Sequence, residues 1–158
     1  MYELCKALVE RLREQNLTLS CAESCTGGLI AKCITDIPGC SEIFYGGVVS
    51  YDNSVKIGIL NVNKETLKEY GAVSYETAKE MAYGVKRACS TDIGISTTGI
   101  AGPGGAVLNK PVGTVYIGIA IGDSVESKRL DLGEHLSRDE IRQKAVYSLL
   151  SYLLDKIK

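Results

Sequence analysis

The sequence predicts an α/β fold: a single-domain α/β/α layered sandwich around a mixed, mostly parallel sheet. Three observations carry this expectation. Short apolar, β-branched runs alternate along the chain with longer stretches of helical period. Capping and turn residues stand at the joins between them. The 158 residues are 45% hydrophobic and 23% charged, a globular composition with enough chain for one core. Residues 1–158 are therefore read as one domain.

Each element has its own signal. Residues 2–15 carry Leu4, Leu8 and Leu12 at every fourth position, with Cys5 and Val9 beside them, and read as an amphipathic helix. Leu17 to Glu23 reads as a strand. A tight turn, Ser24-Cys-Thr-Gly-Gly28, opens a helix from Leu29 to about Ile37, which Pro38-Gly39 stops. Phe44 to Tyr51 is apolar and β-branched, a second strand. Asn53 is the expected cap of a short helix from Ser54 to about Leu60.

Asn63 to Tyr70 reads as another short helix closed by Gly71. Ser74 caps the next helix, whose Ala78, Met81, Ala82, Val85 and Cys89 form a buried stripe. Ile93 to Thr98 reads as a strand that enters a glycine-rich loop. Val112 to Ile121 is nearly continuous in apolar residues, as a strand covered on both faces should be. Glu126 to Leu132 alternates like an edge strand. Ser137-Arg-Asp-Glu140 is a capping box, and the last helix carries Ile141, Ala145, Leu149, Leu153 and Ile157 on one face.

Composition narrows the chemistry. There are 18 Lys+Arg against 19 Asp+Glu, so no basic surface advertises nucleic acid or anionic membrane. No apolar run reaches the roughly 18 residues of a membrane span. A single histidine, His135, precludes a histidine-rich metal site and leaves a Ser-His-Asp triad only one base to choose. Of the six cysteines only Cys21 and Cys25 approach a metal-ligand spacing, and no second pair accompanies them. No metal or cofactor is expected, and the thiols read as reduced core residues of a cytoplasmic protein.

Three loops that follow predicted strands can carry chemistry, since α/β sheets place ligands there. In the first, Ser24 stands at a strand–turn–helix junction, where backbone N–H groups can stabilise an oxyanion. Alternatively, Ser24 or Thr26 merely caps the helix. Cys25 is a rival nucleophile without a nearby base in sequence, and a buried thiol is the safer reading. In the second, Asn53 as cap puts Lys56 in the first helical turn, where the dipole lowers a lysine pKa. Tyr51 is placed to hydrogen-bond to Lys56 or to a reacting hydroxyl. The third, Thr98-Gly-Ile-Ala-Gly-Pro-Gly-Gly105, lets backbone N–H groups approach a phosphate but matches no nucleotide fingerprint. Arg138 and Arg142, about one turn apart, form a basic pair for a phosphate or a solvated face.

Several ordered motifs carry a resemblance. They are Ala22-Glu-Ser-Cys-Thr-Gly-Gly28, Gly46-Gly-Val-Val-Ser-Tyr-Asp-Asn53 with Lys56, Gly71-Ala-Val-Ser74, and Thr98-Gly-Ile-Ala-Gly-Pro103 with Lys110-Pro-Val-Gly-Thr-Val115. From about Leu17 through Ile121, and more loosely beyond, the chain resembles the CinA C-terminal domain family of nicotinamide-nucleotide amidases. The resemblance implies hydrolysis of nicotinamide mononucleotide to nicotinic acid mononucleotide and ammonia. It maps Ser24 onto the nucleophile, Lys56 onto the base and Tyr51 onto an assisting tyrosine. It implies substrate contacts from Thr26, Gly27 and Gly28, and from Thr98, Gly99 and Gly102 in the glycine-rich loop. The family's arginine lies in a Gly-Asp-Arg context; here the stretch is Gly133-Glu-His-Leu-Ser-Arg138, which makes Arg138 the first choice and Arg142 the second. The expected partners are a small nucleotide substrate and a second copy in a homodimer, with no nucleic acid and no membrane. The family's other form adds an N-terminal nucleotide-binding domain, whose activity is not carried over to this sequence. Two other readings fit the same fold: a non-catalytic nucleotide-binding or regulatory module, and an amidase for another small amide.

Overall fold

The computed structural model describes residues 1–157; Lys158, the end of the expected domain, lies outside the described residues. The elements follow in the order α1 (Tyr2–Glu14), β1 (Leu19–Glu23), α2 (Leu29–Thr35), β2 (Phe44–Val49), α3 (Asn53–Gly58), α4 (Lys64–Glu69), α5 (Tyr75–Cys89), β3 (Ile93–Gly99), β4 (Thr114–Ile121), β5 (Ser124–Asp131) and α6 (Arg138–Lys156). The predicted elements are present, most with ends displaced by one to three residues. The five strands form one mixed sheet in the order β2-β1-β3-β4-β5. β1 is parallel to both β2 and β3, and β4 is antiparallel to both β3 and β5.

Helices cover both faces. The larger core packs α1, α2 and α6 on one side of the sheet, with Leu8, Leu12, Ile30, Leu149 and Leu153 fully buried. A smaller cluster, with Leu60, Val62, Met81 and Val85 around Ala22, lies on the other side beneath α5. α5 lies almost directly on the strands. A Cβ on Gly94 would collide with the Ala82 carbonyl, and one on Gly118 with the Ala78 carbonyl and the Ser96 hydroxyl. Only glycine permits that approach. β4, expected to be covered on both faces, is buried from Thr114 to Ala120. β5 is an edge strand, as expected, and β2 is the other edge.

The caps show how local sequence sets the helix starts. Ser74 accepts from the Thr77 N–H, Asn63 from the Glu65 N–H, and Ser137 and Glu140 form the reciprocal capping box. α3 differs from expectation. Asp52, not Asn53, is its cap, accepting from the Ser54 N–H at 2.8 Å. α2 departs further, because its N-cap is Gly28 in the left-handed region (φ 98°), with no side-chain acceptor of its own.

The chain leaves β1 through α2 on one face and later reaches β3 through α5 on the other. The carboxyl ends of β2, β1 and β3 therefore open side by side, the place where such sheets form a crevice.

Candidate active site

The three strand ends bring together Ser24 after β1, Ser50 and Tyr51 after β2, and Thr97 and Thr98 at the end of β3. α3 returns Lys56 into this corner. Its Nζ lies 3.3 Å from Ser24 Oγ, 2.7 Å from the Ser50 carbonyl oxygen and 3.3 Å from the Tyr51 carbonyl oxygen. Lys56 is only 1% exposed. Burial lowers its pKa from the ordinary lysine value, against the opposing pull of Asp52 and of Cys25. The expected cause was the helix dipole. With Asp52 as cap, however, Lys56 falls in the last turn of a six-residue helix, and desolvation is what lowers it.

Lys56 Nζ donates to the two carbonyl oxygens and to Ser24 Oγ. Once the amine loses a proton, the position facing Ser24 can accept the hydroxyl proton instead. A nucleophile and a base within hydrogen-bond reach form the minimal apparatus for acyl transfer.

Tyr51 meets Lys56 through its backbone. Its carbonyl oxygen holds Lys56, while its phenol oxygen accepts from Arg138 Nη2 at 3.0 Å. Tyr51 is 63% exposed, so the ring stands at the mouth of the corner. Arg138 also donates to the Gly102 carbonyl at 2.6 Å and so ties the glycine-rich loop to Tyr51. Arg142 is turned inward instead and clamps the Thr26 carbonyl through Nε and Nη2, at 3.1 and 2.6 Å. The two arginines thus have separate tasks: Arg138 is exposed at the site and Arg142 braces the serine turn.

Several expected substrate contacts are committed to the protein itself. Thr26 is fully buried, and its hydroxyl joins Glu23 at 2.6 Å and Thr97 at 2.7 Å. The Gly27 N–H donates to the Ser24 carbonyl and the Gly28 N–H to Glu23. The Thr98 hydroxyl donates to the Ala72 carbonyl and anchors the segment before α5. Gly99 faces β4, where a Cβ would come within 2.7 Å of the Thr114 carbonyl oxygen. Gly102 takes part through its carbonyl and its left-handed φ of 75°. Ser24, Tyr51 and Arg138 are open toward a ligand, and Gly27 is exposed beside them. Within the turn, the N–H groups of Cys25 and Thr26 have no carbonyl or carboxylate acceptor among the described residues.

Cys25 is 5% exposed, and burial pushes its thiol up to about 12, so almost no thiolate is present near neutral pH. The sulfur is both shielded and protonated, as the reading of Cys25 as a buried thiol expects. Among the described residues no group of His, Cys, Asp and Glu is clustered to hold a metal, and no helix is long and apolar enough to cross a membrane.

Sequence reasoning missed Glu23. It is 1% exposed and sits under the turn, accepting from the N–H groups of Gly28, Ile30 and Ala31 at 3.1, 3.0 and 2.9 Å. The signal was visible: a carboxylate closing an otherwise buried run, Leu19-Ser-Cys-Ala-Glu23.

The model of the CinA C-terminal domain matches residues 1–157. A CinA-like protein of Leptospira borgpetersenii is 48% identical over 159 residues, covering 99% of this chain and 37% of that protein. A CinA-like protein of Fusobacterium nucleatum is 51% identical, covering 93% of this chain and 36% of its own. The chain thus spans little more than a third of the length of these curated relatives. Among solved structures, the competence/damage inducible protein CihA from Agrobacterium tumefaciens superposes with a TM-score of 0.94 at 38% identity, covering 98% of this chain and 93% of that one. The competence damage-inducible protein A (ComA) from Klebsiella pneumoniae does so at 0.95 and 31%, covering 99% and 96%. A match along the whole described chain, with the same fold, shows that the protein belongs to the CinA C-terminal domain family.

Proposed function

We propose that the chain is an amidase that hydrolyses the carboxamide of nicotinamide mononucleotide, releasing nicotinic acid mononucleotide and ammonia through a Ser24–Lys56 pair. The observation that carries the chemistry is the buried Lys56 amine, of lowered pKa, 3.3 Å from Ser24 Oγ. The substrate follows from the motif resemblance, and the exposed Arg138 at the mouth supplies a partner for its phosphate.

In this reading Ser24 Oγ attacks the carboxamide carbon while Lys56 Nζ takes the hydroxyl proton. The oxyanion of the tetrahedral adduct is met by the N–H groups of Cys25 and Thr26. The C–N bond then breaks, and the Lys56 ammonium protonates the departing nitrogen, which leaves as ammonia. Water, deprotonated by Lys56, attacks the acyl-serine. Collapse of that second adduct returns the proton to Ser24 and frees the carboxylic acid. No step requires a metal ion or a histidine.

The experiment is ammonia release from nicotinamide mononucleotide by wild type, Ser24→Ala and Lys56→Ala, with circular dichroism on each. Both variants should fold and lose at least about 10³-fold in turnover, as removal of a nucleophile or its base does. A folded Ser24→Ala or Lys56→Ala variant of full activity would exclude the pair. Running nicotinamide and simple amides in parallel tests whether the nucleotide part is recognised.

A further inference from the structure

The geometry points to Glu23 as a positioning residue that anchors both members of the Ser24–Lys56 pair. This inference rests on the proposed function above. A carboxylate that is 1% exposed is costly to bury unless its oxygens are fully hydrogen-bonded. Glu23 meets that condition in an unusual place. Oε2 accepts from the Thr26 hydroxyl and from the Gly28 and Ile30 N–H groups, and Oε1 accepts from the Ala31 N–H. These donors belong to the serine turn and to the start of α2, the helix whose own N-cap, Gly28, offers no side chain. Glu23 therefore acts as a cap delivered from the preceding strand.

Its backbone reaches the other half of the pair. The Glu23 carbonyl accepts from the Ser50 N–H at 2.8 Å, and the Ser50 carbonyl in turn takes Lys56 Nζ at 2.7 Å. From the opposite side Arg142 holds the Thr26 carbonyl at 2.6 Å. The turn is thus pinned by an anion beneath and a cation above, and the attacking hydroxyl is the next residue after the anchor. By taking the Gly28 N–H, Glu23 also withdraws that group from oxyanion binding, which leaves the donors to Cys25 and Thr26.

An anchor of this kind contributes to turnover and not to ground-state binding. Displacement of a reacting group by about 1 Å can cost about 100-fold. In Glu23→Gln the side chain keeps its size, but its NH₂ group must face backbone N–H donors, so the turn shifts.

The test compares full-length wild type, Glu23→Gln and Ser24→Ala. Folding is followed by thermal melts, and kcat and KM by ammonia release from nicotinamide mononucleotide. Ser24 reactivity is followed without substrate, by the rate of fluorophosphonate labelling located by mass spectrometry. Glu23→Gln should lose about 10- to 100-fold in both kcat and labelling rate, with KM little changed. A folded Glu23→Gln with wild-type kcat and labelling rate would overturn the proposal. If Glu23→Gln does not fold, Thr26→Val removes one of the carboxylate's five donors, which are Thr26, Gly28, Ile30, Ala31 and the Cys21 thiol. It should lower labelling and kcat together, with recovery in Thr26→Ser; wild-type rates in Thr26→Val would equally overturn the anchor. Failure of the dyad has a different signature. Ser24→Ala would then release ammonia at the wild-type rate, which removes the pair and its anchor together.

Discussion

Lys56 decides the chemistry at the scale of single residues. A lysine in water is protonated near neutral pH and cannot accept a proton. Burial disfavours the charged form, and two carbonyl oxygens hold Nζ within 3.3 Å of Ser24 Oγ. In the proposed mechanism Lys56 is the base, so activity should rise with pH as it loses its proton. The rising limb of kcat/KM should therefore have its midpoint below the ordinary 10.5 of lysine. A profile measured from pH 5 to 10 checks this; a rate that falls across that range would exclude a neutral Lys56 as base. Cys25, one residue after the proposed nucleophile Ser24, shows burial acting on the opposite kind of group. The same desolvation that frees an amine to act as base keeps a thiol protonated and inert.

Between residues and the whole molecule lie the elements, and here the local signals were mostly sufficient. Helix periods, the Ser74 and Asn63 caps and the Ser137 capping box concern residues a few positions apart, so sequence alone displays them. Where two neighbouring residues both suit a cap, the signal is ambiguous. Asp52 and Asn53 are such a pair, and a one-residue shift moved Lys56 away from the start of its helix. The close seat of α5 on the sheet was not legible, because nothing in the sequence says which glycine another element will approach. Gly118→Ala would push a methyl group into the Ala78 carbonyl. It should destabilise the domain by about 1–3 kcal/mol, measured by urea unfolding. An unchanged midpoint would show that α5 moves away without cost.

Across the whole molecule, the site is an assembly of distant segments. Ser24 and Lys56 are 32 positions apart, Tyr51 and Arg138 are 87, and Thr26 and Arg142 are 116. Arg138→Ala should raise KM for the phosphorylated substrate by about 10-fold or more, with kcat little changed. Arg142→Ala should lower kcat instead, because it releases the serine turn. Steady-state kinetics on both variants separate the roles, and identical effects would refute the division. The homodimer implied by the resemblance is part of the same proposal. Light scattering after size exclusion should give twice the chain mass; a monomer that retains activity would show that one chain completes the site.

Sequence by itself determined the periodicities, the caps, the glycine turns and the ordered motifs that mark the family, because each depends on residues close together in the chain. It also marked Ser24, Lys56, Tyr51 and Arg138 as residues able to react or bind. Only the tertiary structure decided which polar groups meet. It buried Glu23 under the serine turn, turned Arg142 inward while Arg138 stayed exposed, and committed Thr26 and Thr98 to internal hydrogen bonds. The reason is physical. A side chain's hydrogen-bonding capacity belongs to the residue, whereas its burial and its partners depend on long-range packing, and those set both the pKa of Lys56 and the donors left free for substrate.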